Sequence, residues 1–90
     1  MANKNQIIHS LKNLVGERNG RSFTFEPNTR MVLDYFDDYL DTELISLVLK
    51  RGVLYLNTRT KEHGNDTDRL SDFHATIVED IYNVVQSQNL

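Results

Sequence analysis

The sequence contains no cysteine, a single proline, four scattered glycines and no apolar run long enough to cross a membrane. Without cysteine there is no disulfide, no thiolate metal ligand and no thiol nucleophile, and the chain suits a reducing compartment. Gly16, Gly20, Gly52 and Gly64 stand singly, so no glycine-rich loop is present to cradle a phosphate. The N-terminus, MANKNQIIHSLKNL, offers two adjacent apolar residues before a polar interruption. That is too little for a signal-peptide core, and the chain reads as cytoplasmic with no membrane partner.

Catalytic signatures are equally scarce. Ser10, Ser22, Ser46, Ser71 and Ser87 lack a nucleophile-elbow context, and His9, His63 and His74 have no second histidine three or four residues away. No enzyme activity, catalytic residue or cofactor is expected. Glu62, His63, Asp66 and Asp68 gather metal-ligand residue types in one polar segment, but no recognised metal-binding spacing accompanies them.

What is present is the composition of a globular protein: 39% hydrophobic and 26% charged residues over 90 positions. A chain of this length closes one core, so residues 1–90 are read as a single domain. The net charge of −3 hides blocks. Residues 1–30 carry a net +3, residues 31–49 a net −5, residues 50–61 a net +4 and residues 62–90 a net −5. Charge blocks bear on partners and solubility more than on fold.

Hydrophobic periodicity supplies the elements. Ile7, Ile8, Leu11, Leu14 and Val15 form one stripe of a helix over about 4–15, stopped at Gly16. Asn19-Gly20 marks a tight turn, and Phe23 and Phe25 alternate with polar neighbours in a short strand that Pro27 ends. Across 29–41, helical spacing segregates Val32, Phe36, Leu40, Leu33, Tyr39 and Tyr35 from Arg30, Asp34, Asp37, Asp38 and Asp41. That segregation predicts a second helix, capped by Asn28 or Thr29. A strand in the same place would leave Val32 and Phe36 in water.

Residues 43–50 and 53–59 flank Arg51-Gly52 and predict a hairpin. KEHGNDTD, residues 61–68, reads as a polar loop whose Asp66, Thr67 or Asp68 caps a last helix. That helix would carry Leu70, Phe73, Ile77, Val78, Ile81, Tyr82, Val84 and Val85, and SQNL at its end would fray. The expected architecture is an α+β two-layer sandwich of order α-β-α-β-β-α, its small three-stranded mixed sheet joined by a parallel crossover and packed by helices.

The expected function is a non-enzymatic adaptor, inhibitor or regulator that binds another protein with a basic surface. Its contact would be the acidic helix face of Asp34, Asp37, Asp38 and Asp41, with Glu43 at the margin. The alternative is nucleic-acid binding through Lys50, Arg51, Arg59 and Lys61 of the 43–61 hairpin, with Tyr55 for stacking. The acidic pI of about 5.5 counts against it. A homodimer through the apolar C-terminal helix is a further expectation.

Overall fold

The computed structural model describes residues 3–18, 20–35 and 37–89, without the side chains of residues 17 and 18. Helix α1 (Lys4–Arg18) buries Ile7, Ile8, Leu11 and Val15, the stripe read from the sequence. Asn3 and Gln6 open it reciprocally. Gln6 N donates to Asn3 Oδ1 and Asn3 N to Gln6 Oε1, each at 2.9 Å, which satisfies amides that a helix start leaves free.

Five strands follow: β1 (Ser22–Thr24), β2 (Arg30–Tyr35), β3 (Asp38–Lys50), β4 (Val53–Thr60) and β5 (Gly64–Arg69). A short 3₁₀ turn, Leu70–Asp72, leads to helix α2 (Ala75–Gln88). Among the described residues every strand pairing is antiparallel, and the sheet has five strands. The expected order α-β-α-β-β-α and the three-stranded mixed sheet are therefore corrected to α-β-β-β-β-β-α, with no parallel crossover. The α+β arrangement of helices on a sheet remains, with two helices in place of three.

The main correction is the segment 29–41, which is a β-hairpin and not a helix. Met31, Leu33 and Tyr35 turn toward the core, whereas Val32 is left 59% exposed. The hydrogen-bonded ladder with β3 outweighs the helical segregation of side chains, because it satisfies backbone groups that β3 would otherwise present unpaired. Asp37 closes the turn at φ 69°, a left-handed conformation that Asp tolerates; Phe36 lies outside the described residues. Asn28, expected as a helix cap, has φ 68° in the turn Glu26–Thr29, where Pro27 precedes it and Thr29 N donates to Glu26 O at 3.2 Å.

The expected polar loop is corrected too. Residues 64–69 form edge strand β5, held to β4 by backbone pairing from Tyr55↔Arg69 to Thr60↔Gly64. Asp66, Thr67 and Asp68 therefore lie in a strand and cap nothing. Leu70 and Phe73 are buried ahead of α2, which begins only at Ala75. The end of α2 is tied down where fraying was expected. Gln88 Oε1 accepts from Glu26 N at 2.9 Å and Gln88 Nε2 donates to Thr29 Oγ1 at 3.0 Å.

The β3–β4 hairpin stands where the sequence placed it. Arg51 and Gly52 both have positive φ, 52° and 76°, as a two-residue turn matched to strand twist requires. Thr42, Leu44 and Leu47 on β3 and Leu54, Leu56, Thr58 and Thr60 on β4 face the helices and are buried. Val53, Tyr55, Asn57 and Arg59 alternate with them on the other face, which no helix covers among the described residues.

A bulge between Leu44 and Ser46 divides β3, so that β2 pairs with its first half and β1 with its second. Bulges increase local twist, and here the β2–β3 hairpin curls over the helix-facing side of the sheet. Tyr35, paired with Asp38, brings its Oη within 2.6 Å of Thr58 Oγ1, although Thr58 pairs with Leu44, six positions further along β3. Both groups are buried, so losing one strands the other. Tyr35→Phe should lower the unfolding free energy by about 1–3 kcal/mol in urea titrations, and adding Thr58→Val should cost less than the separate effects summed. Additive losses would show that the two hydroxyls do not support one another.

Candidate functional site

The carboxylates expected on one helix face are dispersed by the hairpin. Asp41 on β3 accepts from Arg30 Nε on β2 at 3.0 Å, and that bond is the main reason the Arg30 guanidinium pKa is raised. Glu43 accepts from Arg59 Nε and Nη2 at 3.1 and 2.8 Å. Asp34 is turned away from solvent beside His74, with 3.8 Å between Asp34 Oδ2 and His74 Nε2. Asp37 and Asp38 alone stay together, exposed at the turn of the β2–β3 hairpin, and no ion pair among the described residues engages them.

The hairpin adds what the helical reading had hidden in the core. Tyr39, next to Asp38, is 76% exposed and Val32 is 59% exposed; among the described residues these are the large hydrophobic side chains left in solvent. The pairing register sets Val32 opposite Asp41 and Tyr39 opposite Asp34. Tyr39 is thus exposed close to the Asp37–Asp38 turn, and Val32 lies further along the same hairpin. The signal was present in the sequence as the strand alternative, in which Val32 is exposed.

The four expected nucleic-acid contacts also separate. Lys50 and Arg51 are exposed at the β3–β4 turn, Arg59 is bonded to Glu43, and Lys61 lies in the β4–β5 turn at the other end of β4. At about 3.3 Å per residue, the length of β4 sets Lys61 roughly 25 Å from Arg51. A continuous cationic track for a phosphate backbone is not formed by these residues.

Two depressions flank the sheet. On the uncovered face, Val48, Lys50, Arg51, Val53, Tyr55, Asn57 and Thr67 line a concavity of about 650 Å³. A second, of about 430 Å³, lies in the seam where the β2 hairpin meets the start of α2, lined by Asp34, Tyr35, Asp37, Asp68, Asp72, Phe73 and His74. The seam gathers four carboxylates and one imidazole. Among the described residues, no three His, Asp or Glu side chains are grouped so as to hold a metal ion. The 62–68 segment is split as a ligand set, with His63 in the turn beside the Tyr35 ring and Asp66 and Asp68 on β5.

Like charge at partial burial makes the seam electrostatically costly. Burial pushes the Asp68 carboxyl up from its ordinary value of 3.8, and Asp66 and Asp72 push it further. Burial likewise raises the Tyr35 phenol, with the Thr58 bond opposing and Asp68 and Asp66 adding. Asp34 Oδ1 is buried with no hydrogen-bond partner. The α2 residues behind the expected dimer are occupied within the chain's own core: Val78, Ile81 and Val85 are buried, and Ile77, Tyr82 and Val84 pack against them. No helix among the described residues is long and apolar enough to cross a membrane.

The raised Asp68 pKa fixes a sign. The folded state holds that proton more tightly than the unfolded chain, so stability gained from Asp68 is full below pH 3.8 and is lost as pH rises through the raised value. Asp68→Asn should therefore be more stable than the parent at pH 7, with the difference shrinking as pH falls toward 4. Urea titrations of both proteins across that range measure it. A difference that stays constant or grows on acidification would contradict the assignment.

Compared with protein-family models, with curated proteins and with solved structures, the chain matches none, so the functional reading is drawn from the geometry itself.

Proposed function

We propose that the chain is a small, non-enzymatic cytoplasmic protein-binding module, acting as an adaptor, inhibitor or regulator. Its contact is the free end of the β2–β3 hairpin, where Asp37 and Asp38 precede the exposed Tyr39, with Val32 further along the ladder. The acidic helix face is given up, since the segment is a hairpin and Asp41 and Glu43 are engaged by Arg30 and Arg59. The observation that carries the reading is the 76% exposure of Tyr39 next to Asp37 and Asp38, which no ion pair among the described residues engages.

An exposed tyrosine supplies a rigid anchor that gains contact area on binding, and the flanking aspartates favour a partner with a basic surface. The charges steer encounter and fix orientation; the aromatic and Val32 provide burial. The tip lies outside the core, so substitutions there should change fold stability by no more than about 0.5 kcal/mol.

The test is a lysate pull-down with mass spectrometry, comparing the parent with Asp38→Lys/Tyr39→Ser. Specific partners should be retained by the parent at low salt, diminish as salt rises, and be lost from the variant while its circular dichroism is unchanged. An identical set of captured proteins from both baits would reject the hairpin tip as the contact.

A further inference from the structure

We infer that the concavity at the β3–β4 turn is a docking site for the β2–β3 hairpin tip of a second copy of this chain; the inference rests on the tip being a contact surface. The concavity of about 650 Å³ has an apolar floor of Val48, Val53 and Tyr55 and a rim of Lys50 and Arg51, with no carboxylate among its lining residues. Two of its other polar side chains, Asn57 and Thr67, are already bonded within the sheet. Asn57 Nδ2 donates to Ser46 Oγ at 2.9 Å, and Thr67 Oγ1 donates to Asn57 Oδ1 at 2.6 Å. Recognition is left to apolar contact, two positive charges and the Tyr55 hydroxyl, which suits a short acidic segment bearing an aromatic or aliphatic side chain.

The chain carries such a segment itself. Asp37 and Asp38 match Lys50 and Arg51 in number and opposite sign, and Tyr39 and Val32 match the apolar floor. Docking within one molecule is excluded by distance. The tip and the concavity lie at opposite ends of the 13-residue strand β3, in a molecule whose longest extent is 34 Å. The complementary surface must come from another copy. Reciprocal docking about a two-fold axis closes a dimer, whereas docking in one direction would run on into open chains. A nucleic-acid ligand fits less well, because Arg59 is bonded to Glu43 and a single aromatic lines the site.

Sedimentation velocity from about 1 μM to about 1 mM protein, at about 50 and about 500 mM salt, tests this. The parent should pass from one-chain to two-chain mass as concentration rises, at higher concentration in the stronger salt. Lys50→Glu/Arg51→Asp should weaken association at least about tenfold, as should Asp37→Asn/Asp38→Lys. Asp and Asn tolerate the positive φ at 51 and 37, and circular dichroism checks that both variants keep the fold. An equimolar mixture of the two variants should recover the dimer, because each then offers what the other lacks.

A parent that stays at one-chain mass throughout overturns the inference, as does a dimer that both variants retain. Binding of a labelled acidic peptide or single-stranded oligonucleotide to a parent that remains monomeric overturns it too, and assigns the concavity to that ligand. The two readings fail separately. A monomeric parent whose pull-down partners still depend on Asp38 and Tyr39 removes self-docking and leaves the tip as a contact for other proteins.

Discussion

Strand β3 has hydrogen-bonded partners along both edges, and the position of each other strand follows from the half of β3 it meets. Its second half pairs with β1 and its first half with β2, while β4 runs along the opposite edge. The bulge at Leu44–Ser46 makes this division workable. Opposite it, the chain loops out through Glu26–Thr29, and Phe25 N donates to Ile45 O while Leu44 N donates to Thr29 O. Backbone pairing is therefore kept up through the irregularity, as a buried ladder requires. The added twist brings Tyr35 over Thr58 and folds the hairpin toward α2.

That dependence explains what the sequence reveals and what it conceals. The stripe of α1, the Phe23/Phe25 alternation, the Arg51-Gly52 hairpin and the apolar face of α2 all express local periodicity against a core, and each was legible. Residues 30–41 satisfy two periods at once. Helical spacing collects Val32, Leu33, Tyr35, Tyr39 and Leu40, and strand spacing collects Met31, Leu33 and Tyr35. The choice was made by pairing partners 3 to 13 residues away in sequence, since β3 needs a neighbour on the edge that β1 leaves free. Strand β5 was illegible for another reason: at the sheet edge its backbone does the pairing, and GNDTDR carries no apolar alternation at all.

The candidate site divides along similar lines. That Asp37, Asp38, Lys50 and Arg51 are solvent-exposed charges follows from their place in turns. The neutralisation of Asp41 by Arg30 and of Glu43 by Arg59 depends on strand register, which joins residues 11 and 16 positions apart. These cross-strand pairs are exposed and contribute little to stability, typically below about 1 kcal/mol. Their larger effect is on the charge pattern. They cancel the middle of the sheet and leave opposite charge at the two ends of β3, a polarity that a net charge of −3 does not disclose.

The seam and the hairpin tip place carboxylates in different physical situations, with Asp37 at the border of the two. In the seam Asp68 is partly dehydrated and crowded, so ionising it opposes folding, as the upward push from burial, Asp66 and Asp72 attests. A cation or basic group entering there would relieve that cost, but Tyr35 and Phe73 already pack along the seam, and it presents no exposed apolar side chain to a partner. At the hairpin tip Asp37 and Asp38 are exposed, and Asp38 precedes Tyr39, a side chain that folding leaves in water. On the proposed function, association at the tip would draw on apolar burial that the fold has not used, with attraction from charges whose dehydration a basic partner offsets. On the proposed function, stability and recognition draw on different aspartates, Asp68 in the seam and Asp38 at the β2–β3 turn.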